Sequence, residues 1–233
     1  LHAGGQGVRR HAAMLADMFG LPPSGVRVLT QDVGGGFGPR NWLYPEFVMV
    51  LWAARRLGRP VKWTSDRADA FVSDIQARDM ITEGALALDG DGNFLALRVQ
   101  LTGNVGAHTV SFVPMANGAR LVSTVYDIPT AHVLVRGVVT NTLPTGPYRG
   151  AGRPEVQLMM ERLIERAAAA LGMDGVELRR RNLVAQNKMP WVNPLGLIYD
   201  SGAFEANMDH ALTLADRGGF DARRQVSEAA GKL

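Results

Sequence analysis

Cysteine is absent from the 233-residue sequence. Disulfides, iron–sulfur ligation, thiolate zinc sites and a cysteine nucleophile are therefore excluded within this chain. Long apolar runs are missing as well: no stretch approaches the roughly 18 residues that cross a bilayer. No signal peptide is visible at the start, although a chain that opens in a helical pattern without an initiator Met reads as a fragment, cut at both ends. Charge of one sign is also lacking. Lys and Arg total 25 against 22 Asp and Glu, a formal +3, without the clustered basic face that nucleic-acid binding needs. The one dense run, Arg179-Arg180-Arg181, falls in an expected helix. Three neighbours there point in different directions, so the run reads as a solvated helix face. His2, His11, His108, His132 and His210 form no metal-binding cluster in sequence and read as ordinary core or surface residues. No Ser sits in a Gly-x-Ser-x-Gly elbow.

What is present suits a globular domain. Hydrophobic residues make up 46% and charged residues 20%, enough for a sizeable core in one large domain or two small ones. Apolar residues at three-to-four spacing (Val8, Ala12, Leu15, Phe19) predict a helix over 7–19, closed by Gly20. Alternation predicts strands over 26–33, 60–64, 81–88, 94–101 and 132–140, and Asp89-Gly90-Asp91-Gly92-Asn93 joins two of them as a hairpin. That run superficially resembles the start of a calcium loop, but Phe94 and Gln100 occupy positions such a loop fills with Gly and Glu. Pro45 and Gly58 bracket a helix over 44–57. Pro154 opens a long helix to Leu171 with Val156, Met159, Met160, Leu163, Ile164 and Ala167 on its buried stripe; the two methionines read as core. Asp174 caps a helix ending near Asn182. Residues 187–202 read as loop, 204–216 as helix, and a last helical piece runs into Lys232 and Leu233. Strands and helices mix without regular βαβ alternation, which predicts an α+β fold with mixed sheets and packed helices.

The 27 glycines cluster, and two clusters carry chemistry. Gly34-Gly35-Gly36-Phe37-Gly38-Pro39 lets backbone approach a ligand, and successive N–H groups in such a turn form a concave anion site. Pro39 breaks the dinucleotide fingerprint, and no Lys-Ser/Thr ending makes it a phosphate-binding P-loop. By itself the run is either a backbone cradle or a tight turn. Tyr148-Arg149-Gly150-Ala151-Gly152-Arg153-Pro154-Glu155 places two glycines and an arginine before a helix start, where N–H groups and the helix dipole favour an anion. By itself it reads first as a loop followed by a capped helix.

Taken together, the motifs resemble the molybdenum-cofactor-binding large subunit of the aldehyde oxidase/xanthine dehydrogenase family. Gly-Gly-Gly-Phe-Gly followed by Tyr44-Pro45-Glu46 and by Arg59-Pro60-Val61-Lys62-Trp63-Thr64 carries the resemblance. Thr140-Asn141-Thr142 before the Tyr148–Glu155 turn, Glu177-Leu178-Arg179-Arg180-Arg181-Asn182 and Tyr199-Asp200-Ser201-Gly202 continue it, in order, over essentially the whole chain. The resemblance implies the first half of a molybdopterin-binding domain, with residues 1–175 as a first subdomain and 176–233 as a linker and the start of a truncated second one. It implies a cofactor held at Gly35, Gly36, Phe37 and Gly38 and again at Arg149 and Gly150, and it assigns Gln6 as the catalytic-site glutamine, although Gly5 stands where the family commonly has Thr. Asn41, Asn117 and Ala151 fall at substrate-pocket positions. Purine oxidisers carry Glu, Arg and an aromatic residue there, and carbon monoxide oxidisers carry Cys where this chain has Gly150. The pattern is closest to the aldehyde and N-heterocycle group.

The implied activity is hydroxylation with oxygen drawn from water. The implied cofactor is molybdenum–molybdopterin in its cytosine dinucleotide form, with FAD and 2Fe-2S clusters on other domains or subunits. The implied assembly is a cytoplasmic dimer of multi-subunit units, with no nucleic acid or membrane partner. The family's base glutamate lies downstream of this chain, so the fragment alone is expected to be inactive. Two other readings stand beside this one: a phosphate- or nucleotide-binding module, and a structural fragment of a split subunit.

Overall fold

The computed structural model describes residues 1–232. It forms helices α1 (Val8–Met18), α2 (Pro45–Leu57), α3 (Arg67–Ser73), α4 (Val113–Arg120), α5 (Arg153–Leu171), α6 (Gly175–Asn182), α7 (Phe204–Leu214) and α8 (Phe220–Ala229), and strands β1 (Met80–Leu88), β2 (Phe94–Gly106), β3 (Thr130–Val139), β4 (Trp191–Val192) and β5 (Ile198–Tyr199). The first three strands make one sheet in the order β1-β2-β3, and β4 pairs with β5 antiparallel. The α+β class expected from the sequence is what forms. The chain divides into two compact units, each built from separated segments. The first takes Leu1–Glu83, Gln100–Ala119 and Val133–Leu158; the second takes Gly84–Val99, Arg120–His132 and Met159–Leu233.

Local chemistry explains most of the boundaries. After α1, Gly20 turns left-handed at φ 61. Its N–H donates to Asp17 O at 3.0 Å and the Leu21 N–H to Ala16 O at 2.8 Å, the paired bonds of a Schellman stop. Gly172, at φ 64, ends α5 with the same pairing to Ala169 and Ala168. Pro45 starts α2, where the N–H it lacks would have had no partner, and left-handed Gly58 closes it. The Asp174 carboxylate caps α6, accepting from Val176 and Glu177 N–H. The hairpin between β1 and β2 is tied by Asp89, whose carboxylate accepts from Asp91 N–H at 3.0 Å, Asn93 N–H at 2.8 Å and the Asn93 side chain at 2.8 Å. The Asn93 amide and these backbone donors hold the pKa of its carboxyl below the ordinary aspartate value.

Strand β2 is the spine of the sheet. Leu97, Val99, Leu101, Gly103 and Val105 all point inward at period two. In the first unit the core gathers Leu15, Tyr44, Leu101, Val105, Met115 and Val156; in the second, Phe94, Leu97, Val122, Ile128, Met160, Ile164 and Leu178. Each fully buried aliphatic side chain contributes on the order of 2 kcal/mol.

Several expectations fail for identifiable reasons. The strand over 26–33 reduces to a single parallel bridge, Leu29 with His2. Alternation sets which face is apolar but supplies no partner strand. Residues 60–64 form no strand and lie mostly exposed. Strand β2 runs past Leu101 to Gly106 because Gly103 is not a breaker: a Cβ there would stand 2.6 Å from Met115 Sδ, so the missing side chain is what admits Met115. Helix α3 was legible and missed. Asp66 and Asp69 form a reciprocal capping box around its first turn. At α4, Ser111 Oγ accepts from Val113 N–H at 3.1 Å and Pro114 sits in the first turn, a start signal without the reciprocal carboxylate of a capping box. The loop expected over 187–202 contains the β4–β5 hairpin, knotted around Asn193, whose Oδ1 accepts from Leu195 and Leu197 N–H. The last helix ends at Ala229, and the part of that expectation at Leu233 lies outside the described residues. The arginine run is not a solvated face. Arg179 pairs with Glu161 and Glu165, Arg180 with Glu205 and Asp209, and Arg181 with Glu177 and the Asp91 carbonyl.

Candidate functional site

The first unit brings three separated segments together: Gln6 ahead of α1, the glycine turn 34–38, and the Tyr148–Gly152 turn ahead of α5. Small residues make the approach. A Cβ on Gly36 would stand 2.2 Å from Gln6 Cγ, and a Cβ on Gly38 would stand 2.2 Å from the Pro147 carbonyl oxygen and 3.2 Å from Tyr148 Cα. Gly38 also sits at φ 111, where an L side chain is strained. Only glycine meets both demands. Between them Phe37 is held left-handed at φ 53. Its ring lies 6.3 Å from the Tyr148 ring, and the Arg149 guanidinium stands 5.1 Å over it. The distances place the two glycine turns side by side, so the motif residues Gly35, Gly36, Phe37, Gly38, Arg149 and Gly150 form one constellation.

The hydrogen bonds at this constellation leave donors over. The Gln6 Oε1 accepts from Gly38 N–H at 2.9 Å, which turns the amide so that its Nε2 remains to donate elsewhere. The Ala151 N–H closes the second turn onto Tyr148 O at 2.7 Å, and Arg153 N–H returns to Gly150 O at 3.1 Å. The N–H groups of Phe37, Arg149 and Gly150 meet no acceptor among the described residues. Ala151 itself is left-handed at φ 45. Gly152 packs under the turn: a Cβ there would sit 1.9 Å from Pro114 O and 2.9 Å from Gly118 N on α4.

The pocket positions distribute unevenly. Asn41 lies in the 3₁₀ turn over Pro39–Asn41, with its N–H on Gly38 O at 3.1 Å and its Oδ1 3.1 Å from where a Gly7 Cβ would stand, next to Gln6. Ala151 is part of the turn. Asn117 stands half-buried on α4, one residue before Gly118, and its side chain bonds to no other described residue.

Supports that sequence reasoning missed lie around the constellation. His11, read as an ordinary histidine, is buried, and its ring N–H donates to the Asn41 carbonyl at 3.3 Å. That bond ties α1 to the stretch after the glycine turn. Tyr44 is buried and its hydroxyl donates to Asp74, which also accepts from Ile75 N–H at 2.8 Å and from Arg40 at 3.2 Å. Burial and the Asp74 carboxylate push the Tyr44 phenol above the ordinary tyrosine value. Asn104, near the end of β2, accepts from Gly106 N–H and the Thr140 hydroxyl and donates to Asp79 and Thr142. Its carbonyl accepts from the Thr145 hydroxyl, just ahead of the second turn. Of these, only Tyr44, Thr140 and Thr142 fell inside a motif, and none of these residue types announces a role by itself.

A constellation of surplus N–H donors on two glycine turns is the chemistry of a pocket for an oxygen-rich anionic ligand. Residues 1–183 match the molybdopterin cofactor-binding domain. The chain is 34% identical over 216 residues to the gamma subunit of the 6-hydroxypseudooxynicotine dehydrogenase complex of Paenarthrobacter nicotinovorans, a match covering 90% of this chain and 27% of that protein. It is 36% identical over 227 residues to the carbon monoxide dehydrogenase large chain of Hydrogenophaga pseudoflava, covering 95% and 28% respectively. Quinoline 2-oxidoreductase from Pseudomonas putida 86 has the same fold, with a TM-score of 0.92 at 33% identity over 99% of this chain and 30% of that one. The chain belongs to the molybdenum-cofactor-binding large subunits of the xanthine dehydrogenase, carbon monoxide dehydrogenase and aldehyde oxidoreductase family. It spans less than a third of the length of these relatives. No helix among the described residues is long and apolar enough to cross a membrane.

Proposed function

We propose that this chain supplies part of the cofactor shelf of a molybdenum hydroxylase that oxidises aldehydes or N-heterocycles with oxygen drawn from water. The observation that carries the reading is the convergence of Gln6 with the two glycine turns, leaving Gln6 Nε2 and the N–H groups of Phe37, Arg149 and Gly150 without partners. These residues fit the cofactor: every group left over is an N–H donor, and its oxygens are acceptors. When bound, the group supplies the two-electron oxidation and acidifies water. Gln6, Gly35 to Gly38, Arg149 and Gly150 bind and orient it, and the tight turns keep bulk away from it.

Substrate class rests on the pocket and on the relatives. Asn41, Asn117 and Ala151 replace the charged and aromatic purine clamp of the family's purine oxidisers. Two relatives carry N-heterocycles in their names, nicotine 6-hydroxylase at 31% identity and quinoline 2-oxidoreductase at 33%. Gly150 stands where carbon monoxide oxidisers carry cysteine, which argues against a copper–thiolate centre despite the likeness to a carbon monoxide dehydrogenase chain. The cofactor is taken to be the cytosine dinucleotide form. Electrons leave through FAD and 2Fe-2S groups on other domains or subunits of a cytoplasmic, dimeric assembly, and the base glutamate lies outside this chain, which by itself is inactive. Residues 1–175 form the first molybdopterin-binding subdomain and 176–233 begin the second.

The test is metal and pterin analysis of the assembled enzyme that contains this chain, with acid release of the nucleotide. The reading expects molybdenum, pterin and cytidine monophosphate together. Gln6→Ala is expected to slow turnover about a hundredfold while bound molybdenum stays near its normal content. A protein that holds nucleotide without molybdenum would contradict the reading, and so would unchanged turnover in Gln6→Ala contradict the role given to that residue.

A further inference from the structure

Arg78 is the least expected residue in the first unit. It precedes β1, belongs to none of the motifs, and adopts a left-handed backbone at φ 62, a conformation that costs a side chain of this kind. Three contacts compensate. Its Nη2 donates to the Arg149 carbonyl, its Nη1 stands 3.5 Å from Glu155 Oε2, and its guanidinium lies 5.3 Å from the Tyr148 ring centroid. Glu155 Oε2 is shut off from solvent and has no hydrogen-bond partner, so Arg78 is the cation that faces it. The backbone delivering Arg78 is itself stitched to the second turn: Gln76 N–H donates to Pro144 O at 3.0 Å, and Gly146 N–H donates to Gln76 O at 2.9 Å.

A trans peptide points its carbonyl and its N–H in opposite directions. Tying the Arg149 carbonyl therefore fixes which way the Gly150 N–H points. The neighbouring peptide is fixed in the same manner, because the Tyr148 carbonyl accepts from Ala151 N–H at 2.7 Å and the Arg149 N–H must face away. The first restraint comes from a distant side chain and the second from the turn itself.

We infer that Arg78 is a positioning residue for the molybdenum site, setting the direction of the Gly150 N–H, and with it the second turn, by holding the Arg149 carbonyl. The inference rests on the cofactor reading above, and it extends that reading to a residue outside the shelf. Arginine suits the task because one planar fork serves a carbonyl, a carboxylate and an aromatic face at once.

The experiment uses the assembled enzyme with Arg78→Met and Arg78→Lys, alongside the unsubstituted protein. Five quantities are read: molybdenum content, the Mo(V) electron paramagnetic resonance spectrum, kcat, KM, and amide exchange of Gly150. Arg78→Met is expected to lower kcat about tenfold or more, to change KM and molybdenum content by less than about twofold, to shift the Mo(V) signal, and to speed Gly150 exchange. Arg78→Lys is expected to restore part of kcat and of exchange protection, since its ammonium can still donate to the Arg149 carbonyl. Wild-type kcat and an unshifted signal in Arg78→Met would overturn the proposal. Loss of molybdenum in both variants, with the remaining loaded protein spectroscopically normal, would also overturn it and leave a purely structural arginine. Unchanged Gly150 exchange overturns it even in protein without molybdenum. Absence of molybdenum from the unsubstituted enzyme is a different result, and it contradicts the cofactor reading instead.

Discussion

The two units use polar groups in opposite ways. In the second unit they close on one another. Asn182 is buried, accepts from Phe94 N–H at 2.8 Å, and donates to Gly92 O at 2.9 Å and Leu178 O at 2.8 Å. Tyr126 donates to Glu161, which pairs with Arg179, which pairs with Glu165. Arg180 and Arg181 find their own carboxylates. In the first unit the turns are held as firmly, by Gly38 on Gln6, by Tyr44 and Arg40 on Asp74, and by Arg78 on Arg149, yet donors remain at Gln6, Phe37, Arg149 and Gly150. Donors left over on exposed or half-buried residues are open to water or to the acceptors of a ligand. The contrast with the second unit, where Thr124 Oγ1 alone among the described buried side-chain polar atoms lacks a partner, favours a site.

Substitutions can break this contrast from either side. The largest effect is expected at Gly38→Ala. It forces a Cβ into the Pro147 carbonyl at a left-handed position, costing about 3 kcal/mol and separating the turns. Both the melting temperature and the molybdenum content should fall, as calorimetry and metal analysis would show. Asn182→Ala removes three buried hydrogen bonds in the second unit and is expected to cost about 2–3 kcal/mol. Here molybdenum per folded protein should not change. A loss of metal equal to that of Gly38→Ala would erase the distinction between the units.

Alkaline pH provides a milder test. Burial and a carboxylate neighbour raise the phenols of both Tyr44 and Tyr126 above the ordinary 10.0. Above that value the unfolded chain has released these protons and the folded one has not, so stability is full below pH 10 and declines as pH rises further. Denaturant titrations from pH 9 to 12 should show the decline, and Tyr44→Phe and Tyr126→Phe should each flatten it. A curve that stays level in the unsubstituted protein contradicts both assignments. The smallest effect belongs to Arg181→Ala, which loses one partly exposed ion pair and an exposed hydrogen bond to the Asp91 carbonyl and is expected to shift stability by about 1 kcal/mol in chemical denaturation.

The sequence made the helices legible where periodicity coincided with end signals, as at Pro45 with Gly58, Pro154, and Asp174. It made β1, β2 and the Asp89 hairpin legible for the same reason. It failed for 26–33 and 60–64, because strand character depends on a partner that no local pattern encodes. The arginine run misled because its carboxylate partners lie up to 29 residues away in the chain. At the site, the two glycine turns were readable as motifs, and their meeting was not: Gly38 against Pro147 is a contact across more than a hundred residues. Arg78, His11 and Asp74 stayed invisible for a related reason. Each acts through a bond to another residue's backbone or side chain, and such a role leaves no mark in spacing or composition.

The central claim is that Gln6 and the two turns form one shelf for the molybdenum cofactor. A structure of the loaded enzyme tests it most directly, through the distances from Gln6 Nε2 and the Phe37 and Arg149 amide nitrogens to the cofactor. The account predicts all three within hydrogen-bond reach of cofactor oxygens, roughly 2.7–3.2 Å. A cofactor seated away from both turns, with those donors facing only water, would contradict it.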